Sequence, residues 1–383
     1  MNLVYKYLLQ PTESQKEELF CIFKYCRHLY NAALEERISF YKHFNKSRSY
    51  VDQANFLPEI KKFFPELENI HSQVLQQTLK RLDRAYQGFF RRCREHKTNK
   101  NIKVGFPRFK NRDMFNSICF PQVDPELKIL KGVQLLNNKV KIKGITGLVK
   151  VKIHRPFKGK CVQVEIVKSN HNFFFCITCE DAVEVEPLEK TNKVIAMDLG
   201  ITPFITLDDG TTFLHPKPYK TAKEKLAYRQ RKLARKVQGS NNYKKQAKLV
   251  SKTHEKIVNV REDFQHKLAN KLVKDYDTII VENLNVKSMM EHHGYEVSKS
   301  NIQDTSWGKF ITKLSYKSVR ANKVLIKVNP KNTSKMCSSC KNIKEDLKLK
   351  DRIYHCDICG LTLDRDLNAA KNIRALGTSA AIP

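Results

Sequence analysis

At 383 residues the chain is long enough for two or three domains, and its 41% hydrophobic content is that of an ordinary folded protein. Its 71 Lys and Arg against 39 Asp and Glu leave a net charge of +32, which excludes a protein indifferent to polyanions and makes nucleic acid the expected partner, ahead of an anionic membrane surface. No apolar run approaches the ~18 residues that span a bilayer, and the start MNLVYKYLLQ lacks the apolar core of a signal peptide, so no membrane role is expected and an intracellular location is.

Residues 2–9 are strand-like and are assigned to a β region that resumes after residue 102. Residues 11–95 between them read as helical. Pro11 and Thr12 precede Gln15 in an N-terminal capping arrangement. Leu19, Ile22, Phe23, Cys26, Leu29, Tyr30, Ala33 and Leu34 then recur at helical spacing. A second helix is expected over 72–94, with Val74, Leu75, Thr78, Leu82, Ala85, Tyr86 and Phe89 as its apolar stripe. Its other face carries Lys80, Arg81, Arg84, Arg91 and Arg92, which serves equally as a solvated surface or as a phosphate-binding face.

From about 103 to 190 the period drops to two. Val149, Val151 and Ile153 alternate with Lys150, Lys152 and His154; Val162, Val164 and Ile166 alternate again, and Asn137-Asn138 reads as a tight turn. A small barrel is expected, with the helices inserted after its first strand. GFPRFK, residues 105–110, is a stiff loop carrying Arg108, Lys110 and two phenylalanines, by itself a weak nucleic-acid signal.

Beyond residue 190 strands and helices mix. KVIAMDLGI is a buried strand ending near Asp198, and FITLDDG is its hairpin partner. Residues 221–275 form a basic helical hairpin broken at Gly239-Ser240-Asn241-Asn242. It holds sixteen Lys and Arg against five acids, including Arg229, Arg231, Lys232, Arg235 and Lys236, too lopsided for a merely solvated pair of helices. DTIIVENL is a second buried strand, with Glu282 at its end, and VLIKVNP is a third.

Eleven cysteines divide into three groups. Cys337, Cys340, Cys356 and Cys359 have the spacing C-x2-C-x15-C-x2-C, which sets four thiolates around one tetrahedral zinc. Cys176 and Cys179 lie in the strand-like FFFCITCE, point to opposite faces and are assigned to packing. Cys21, Cys26, Cys93, Cys119 and Cys161 are scattered and are expected to be buried small apolar groups.

Three acids remain. Asp198 and Glu282 end apolar strands, where an unpartnered carboxylate is costly. The third is Asp364 or Asp366, and helical geometry separates them. Asp366, Ala369, Ala370 and Ile373 fall at i, i+3, i+4 and i+7 on one small apolar face suited to lying on a sheet. Asp364 is about 200° away round the axis and is placed to cap the helix. Three converging carboxylates with no countercharge in view point to divalent cations, and two Mg²⁺ about 4 Å apart are the arrangement that hydrolyses phosphodiesters.

AMDLG, VENL and DRDLNAAKNI resemble the three acidic segments of a RuvC-type nuclease, in the order of an RNase H-like fold. TSKMCSSC and YHCDICG, just before the third segment, resemble the zinc ribbon of the TnpB family, transposon-encoded RNA-guided nucleases related to type V CRISPR effectors. QPTESQKEELFCIFKYCRHLYNAAL, LKRLDRAYQGFF, GFPRFK and FQHKLANKLV also look like TnpB segments, so the similarity spans nearly the whole chain. One departure is Lys341, where the family usually has Gly after the first Cys-x-x-Cys.

The resemblance implies a multidomain α+β protein. Residues 1–10 and 103–190 would be a β-barrel wedge domain, 11–102 an inserted helical recognition domain, and 191–383 a RuvC-like α/β nuclease domain with a zinc ribbon inserted at 334–361. It implies a guide RNA from the transposon end, a double-stranded DNA target beside a short adjacent motif, and one nuclease site with Asp198, Glu282 and Asp366 as catalytic metal ligands. It also implies a monomer in the cytoplasm of a prokaryote, associated with the nucleoid. A nuclease-dead RNA-guided DNA-binding regulator and a DNA transposase stay open as other readings.

Overall fold

The first strand, β1 (Leu3–Gln10), buries Tyr5, Tyr7 and Leu9 and turns Val4, Lys6 and Gln10 outward or aside, the alternation of a sheet with one covered face. The computed structural model describes residues 2–180, 188–285, 289, 296–348 and 351–380; they fall into two compact units, Met1–Glu184 and Val185–Pro383. The end of the expected β region at 181–187 and the ribbon residues 349–350 lie outside the described residues.

In the first unit β1 is followed by α1 (Glu13–Phe44), α2 (Tyr50–Asn55), α3 (Leu57–Phe63) and α4 (Ser72–Thr98). The strands β2 (Ser117–Phe120), β3 (Val133–Leu136), β4 (Lys139–Ile142), β5 (Val149–Lys152), β6 (Lys160–Ser169) and β7 (Asn172–Glu180) come after them. Their antiparallel sheet has the order β2-β6-β7-β1-β5-β4-β3, so β1 is central although the chain leaves it at once for the helices. The loop after β2 bridges the two edges. Pro125 O accepts from Cys161 N at 2.9 Å, and Leu127 O accepts from Leu135 N at 2.8 Å, which leaves the sheet nearly closed. Asn137 turns β3 into β4 at φ 52°, a left-handed conformation that Asn tolerates.

Thr12 and Gln15 form a reciprocal capping box at the start of α1. The stripe expected on this helix is buried throughout. On α4, Val74, Leu75, Thr78, Leu79 and Leu82 are buried, whereas Ala85, Tyr86 and Phe89 are only half-buried. One hydrophobic core runs through both helices and strands. Burial pushes the thiols of Cys26, Cys119 and Cys161 up to about 12, which leaves them inert. Cys21 departs from expectation: it is exposed, and Cys93 is half-buried, because both fall beside rather than on the stripes facing the core.

The second unit is built on β8 (Val194–Leu199), β9 (Ile205–Leu207), β10 (Thr212–Phe213), β11 (Thr278–Glu282) and β12 (Val324–Val328), in the order β10-β9-β8-β11-β12. The first three form an antiparallel meander; β11 then runs parallel to both β8 and β12. Two basic helices, α5 (Pro218–Ala234) and α6 (Asn241–Asp275), join β10 to β11. The Ser240 hydroxyl caps α6 by accepting from Tyr243 N at 3.1 Å. Then come α7 (Glu296–Thr305) and α8 (Trp307–Arg320), and the chain's last described helix is α9 (Arg365–Ala380).

Alternation sorts the two faces. Ile195, Met197, Ile279 and Val281 pack with Leu268, Leu272, Phe310 and Leu314 of α6 and α8. Ala196, Ile280 and Val328 pack with Ile373 of α9 on the other side. Asp198 and Glu282 share the parity of Ala196 and Ile280, so both carboxylates face α9. Close approach is required there: a Cβ on Gly377 would stand 2.4 Å from the Ile280 side chain. No described helix is long and apolar enough to cross a membrane.

Candidate active site and metal centre

Asp198 at the end of β8, Glu282 at the end of β11 and Asp366 in the first turn of α9 are 8%, 7% and 8% exposed. They are close enough to act on one another's charge. Burial, then repulsion from Glu282 and Asp366, hold the Asp198 carboxyl well above the usual carboxylate range, with Arg365 pulling the other way. Burial likewise raises Glu282, opposed by the Thr333 hydroxyl, which donates a short hydrogen bond to Glu282 Oε1.

The expectation of carboxylates without countercharge is not met. Arg365 donates from Nε and Nη2 to Asp366 Oδ1 at 3.2 and 3.0 Å, and Arg352 lies 3.9 Å from Oδ2. Arg365 is sequence-adjacent and folds back on its neighbour, which a helical-face argument does not address. Asp364 is exposed, and its Oδ1 accepts from Asp366 N at 2.9 Å and Leu367 N at 3.0 Å, capping α9.

The four cysteines form a second cluster. Their sulfurs all lie within 4.8 Å of one another. Cys337 and Cys359 are 3.6 Å apart, and Cys340 and Cys356 are 3.5 Å apart. Those distances are far beyond an S–S bond and close to the edge of about 3.8 Å that Zn–S bonds impose on a tetrahedron. Backbone amides of the second knuckle, that of Cys359 foremost, draw the Cys356 thiol down to about 6. The donor set and spacing therefore fit a closed four-thiolate metal centre. A short hairpin, β13 (Ile353–His355) and β14 (Thr362–Asp364), carries the second knuckle, and β14 leads directly into α9.

Two fully buried asparagines tie this cluster to the acids. Asn368 Nδ2 donates to Met336 O at 2.8 Å, and its Oδ1 accepts from Ser338 N at 2.9 Å. Asn372 Nδ2 donates to Thr333 O at 3.0 Å and to Met336 O at 2.6 Å. One helix thus grips the first knuckle and the residue that holds Glu282. Sequence reasoning passed over both, although two asparagines at i and i+4 beside the buried face of α9 were a readable signal. Asp208 was also missed: its Oδ1 accepts from Ala196 N at 3.0 Å and its Oδ2 from Arg374 Nη1 at 2.5 Å, fastening α9 to the β8–β9 hairpin.

Three family models match the chain: a helix-turn-helix domain over residues 1–46, the IS605 OrfB probable transposase over 167–293, and the Cas12f1-like TNB domain over 307–373. "Putative RNA-guided DNA endonuclease InsQ" of Escherichia coli K12 is 29% identical, over 97% of this chain and 92% of that protein. TnpB-like protein L79 of Acanthamoeba polyphaga mimivirus is 34% identical over 142 residues, 36% of this chain and 27% of that protein. The chain is similar to proteins of the TnpB (IS605 OrfB) family. Among solved structures, the mini-RNA-guided endonuclease CRISPR-Cas phi3 shares the fold at a TM-score of 0.50 and 10% identity, covering 98% of this chain and 92% of that one.

The Lys341 departure from the TnpB pattern has a visible consequence. Lys341 adopts φ 65°, while its counterpart in the second knuckle is Gly360 at φ 72°. The turn is kept, with Lys341 Nζ donating to Ser338 O at 3.0 Å, but in a conformation that costs a non-glycine residue about 1 kcal/mol. Lys341→Gly is expected to raise thermal stability and slow metal loss to a chelator, and Lys341→Val to do the reverse; equal melting curves for all three proteins would refute the strain.

The basic candidates divide by environment. Lys80, Arg84 and Arg91 on α4, Arg108 in the loop, and Arg231, Lys232, Arg235 and Lys236 at the end of α5 are exposed. Arg81 instead donates to Ser117 O and Oγ, both at 3.2 Å, and lies over Phe115. Arg92 donates to Gly105 O at 2.8 Å. Arg229 holds α5 to α6 through Leu249 O and Thr253 Oγ1. Lys110 lies 5.6 Å over the Tyr30 ring, and its backbone exchanges hydrogen bonds with Asn31. These four are built into the fold.

Proposed function

We propose that this chain is a metal-dependent, RNA-guided DNA endonuclease that cuts beside a short adjacent motif. The observation that carries the proposal is the gathering of three buried carboxylates from β8, β11 and α9 on the face of the sheet that α9 covers. The strand order, third-second-first-fourth-fifth, supports a RuvC-like, RNase H-like reading of residues 191–383, with a zinc ribbon at 334–361. Residues 1–10 and 103–190 then supply the wedge, and 11–102 the recognition helices, which read the adjacent motif.

Asp198, Glu282 and Asp366 would hold two Mg²⁺, which fit because the donors are hard oxygens whose mutual repulsion a cation relieves. Bound there, the ions supply an activated water and stabilise the leaving oxygen. Thr333 fixes the Glu282 carboxylate, Arg365 and Arg352 fix that of Asp366, and Asp208 with Arg374 sets the seat of α9. Cys337, Cys340, Cys356 and Cys359 hold one structural Zn²⁺. Specificity comes from base pairing, since exposed Lys and Arg contact backbones and carry no sequence information.

Protein purified from cells with its flanking element is expected to cut plasmid only when the element's RNA is present. Changing the guide segment should move the cut to the new match. If RNA-free protein cuts one fixed site with equal efficiency, a protein-read endonuclease takes the place of this reading.

A further inference from the structure

Between the end of α1, the 47–49 loop and α4 lies a cavity of about 570 Å³ whose lining the proposed chemistry does not use. Its aromatic wall is Tyr86, Phe89, Phe90 and Phe106. Phe106 comes from the GFPRFK loop and sets its ring edge-on to Tyr86 at 5.5 Å and to Phe89 at 5.1 Å. Arg92 holds the loop in place through Gly105 O. Phe90 is 51% and Phe106 46% exposed, so both rings are open to a ligand.

Arg37 supplies the polar end. It is 7% exposed and lies 5.1 Å over the Tyr86 ring. Its Nε donates to Gln53 Oε1 at 2.8 Å and its Nη1 to Asp83 Oδ1 at 3.1 Å. Its Nη2 is buried with no acceptor. A buried guanidinium nitrogen left without a partner is costly, and the group calls for an acceptor that the described residues do not supply. Flat aromatic faces beside a polar end match a nucleobase, which offers a π-face to stack and polar edges to hydrogen-bond. Along the same helix the exposed Lys80, Arg84 and Arg91 form a stripe for the phosphates on either side of that base.

We propose that this cavity receives one unpaired base of the bound RNA. The inference rests on the RNA-guided reading above. RNA is favoured over target DNA because loops and bulges offer unstacked bases freely, whereas a duplex base must first be extruded.

The test is ultraviolet crosslinking of the purified protein–RNA complex, followed by peptide mapping, beside RNA affinity for the Phe90→Ala, Phe106→Ala double variant. Both side chains are about half exposed, so the variant should stay folded with a modest fall in melting temperature. Crosslinks are expected at Tyr86, Phe90 or Phe106, to a nucleotide outside any RNA helix. RNA affinity should fall about 5- to 150-fold, the range for one lost stack, and Phe106→Trp should retain it. A folded double variant with unchanged RNA affinity and no crosslink between residues 86 and 106 overturns the cavity assignment while leaving the RNA-guided reading standing. Crosslinks there to the displaced DNA strand alone overturn the RNA occupant. Protein that binds no RNA at all overturns both.

Discussion

Asp198→Asn is expected to remove DNA cleavage, by on the order of 10⁴-fold, while leaving guide and target binding nearly unchanged. The substitution alters one charge on a protein of +32, so the polyelectrolyte part of binding hardly moves. Glu282→Gln and Asp366→Asn should do the same. Asp364→Ala should not: it loses the cap on α9, about 0.5–2 kcal/mol, and keeps cleavage within an order of magnitude of the parent. A dead Asp364→Ala beside an active Asp366→Asn would sink the assignment.

The same substitution carries an opposite effect on stability. The Asp198 carboxyl is raised when folded, chiefly by burial, so the folded state holds a proton that the unfolded state has released. This carboxyl's contribution to the stability of the metal-free protein is then full at low pH and is lost as pH rises through the window between the ordinary carboxylate value and the raised one. Asn has no such titration. Metal-free Asp198→Asn is therefore expected to melt a few degrees above the parent at neutral pH, and Mg²⁺ to raise the parent more than the variant. A melting difference between metal-free parent and variant that is the same at acid and neutral pH would contradict it.

The second large effect concerns the link between the cysteine cluster and α9. Cys356→Ser is expected to abolish Zn²⁺ binding at the four-cysteine cluster and loosen the first knuckle, whose Met336 and Ser338 backbone groups are gripped by Asn368 and Asn372. Cleavage should fall at least about 10- to 100-fold, the usual cost of disturbing the groups around a metal. Asn372→Ala keeps every thiolate but strands the carbonyl oxygen of Thr333, Met336 O keeping its bond from Asn368, a loss of about 1–3 kcal/mol for the buried group left unpaired. Zinc content and melting temperature separate the two variants: Cys356→Ser should lose metal, and Asn372→Ala should retain it and still cut slowly. Full activity in metal-free protein would end the coupling argument.

Several features were fixed by the sequence alone, because each rests on local chemistry. The thiol spacing sets two knuckles before any fold is known. The short apolar runs VIAM and IIV place Asp198 and Glu282 at strand ends, and the i, i+3, i+4, i+7 pattern puts Asp366 rather than Asp364 on the buried face of α9. Other features depend on residues far apart in the chain, which no local pattern encodes. Strand β1 sits between β7 and β5, about 150 residues distant. Arg81, Arg92, Lys110 and Arg229 look like free cations in sequence, yet each is committed to a backbone or ring partner inside the fold. Thr333 reaches Glu282 across 51 residues, and Arg374 reaches Asp208 across 166. Periodicity reports which face a residue shows to the core; only packing decides which partner meets it there.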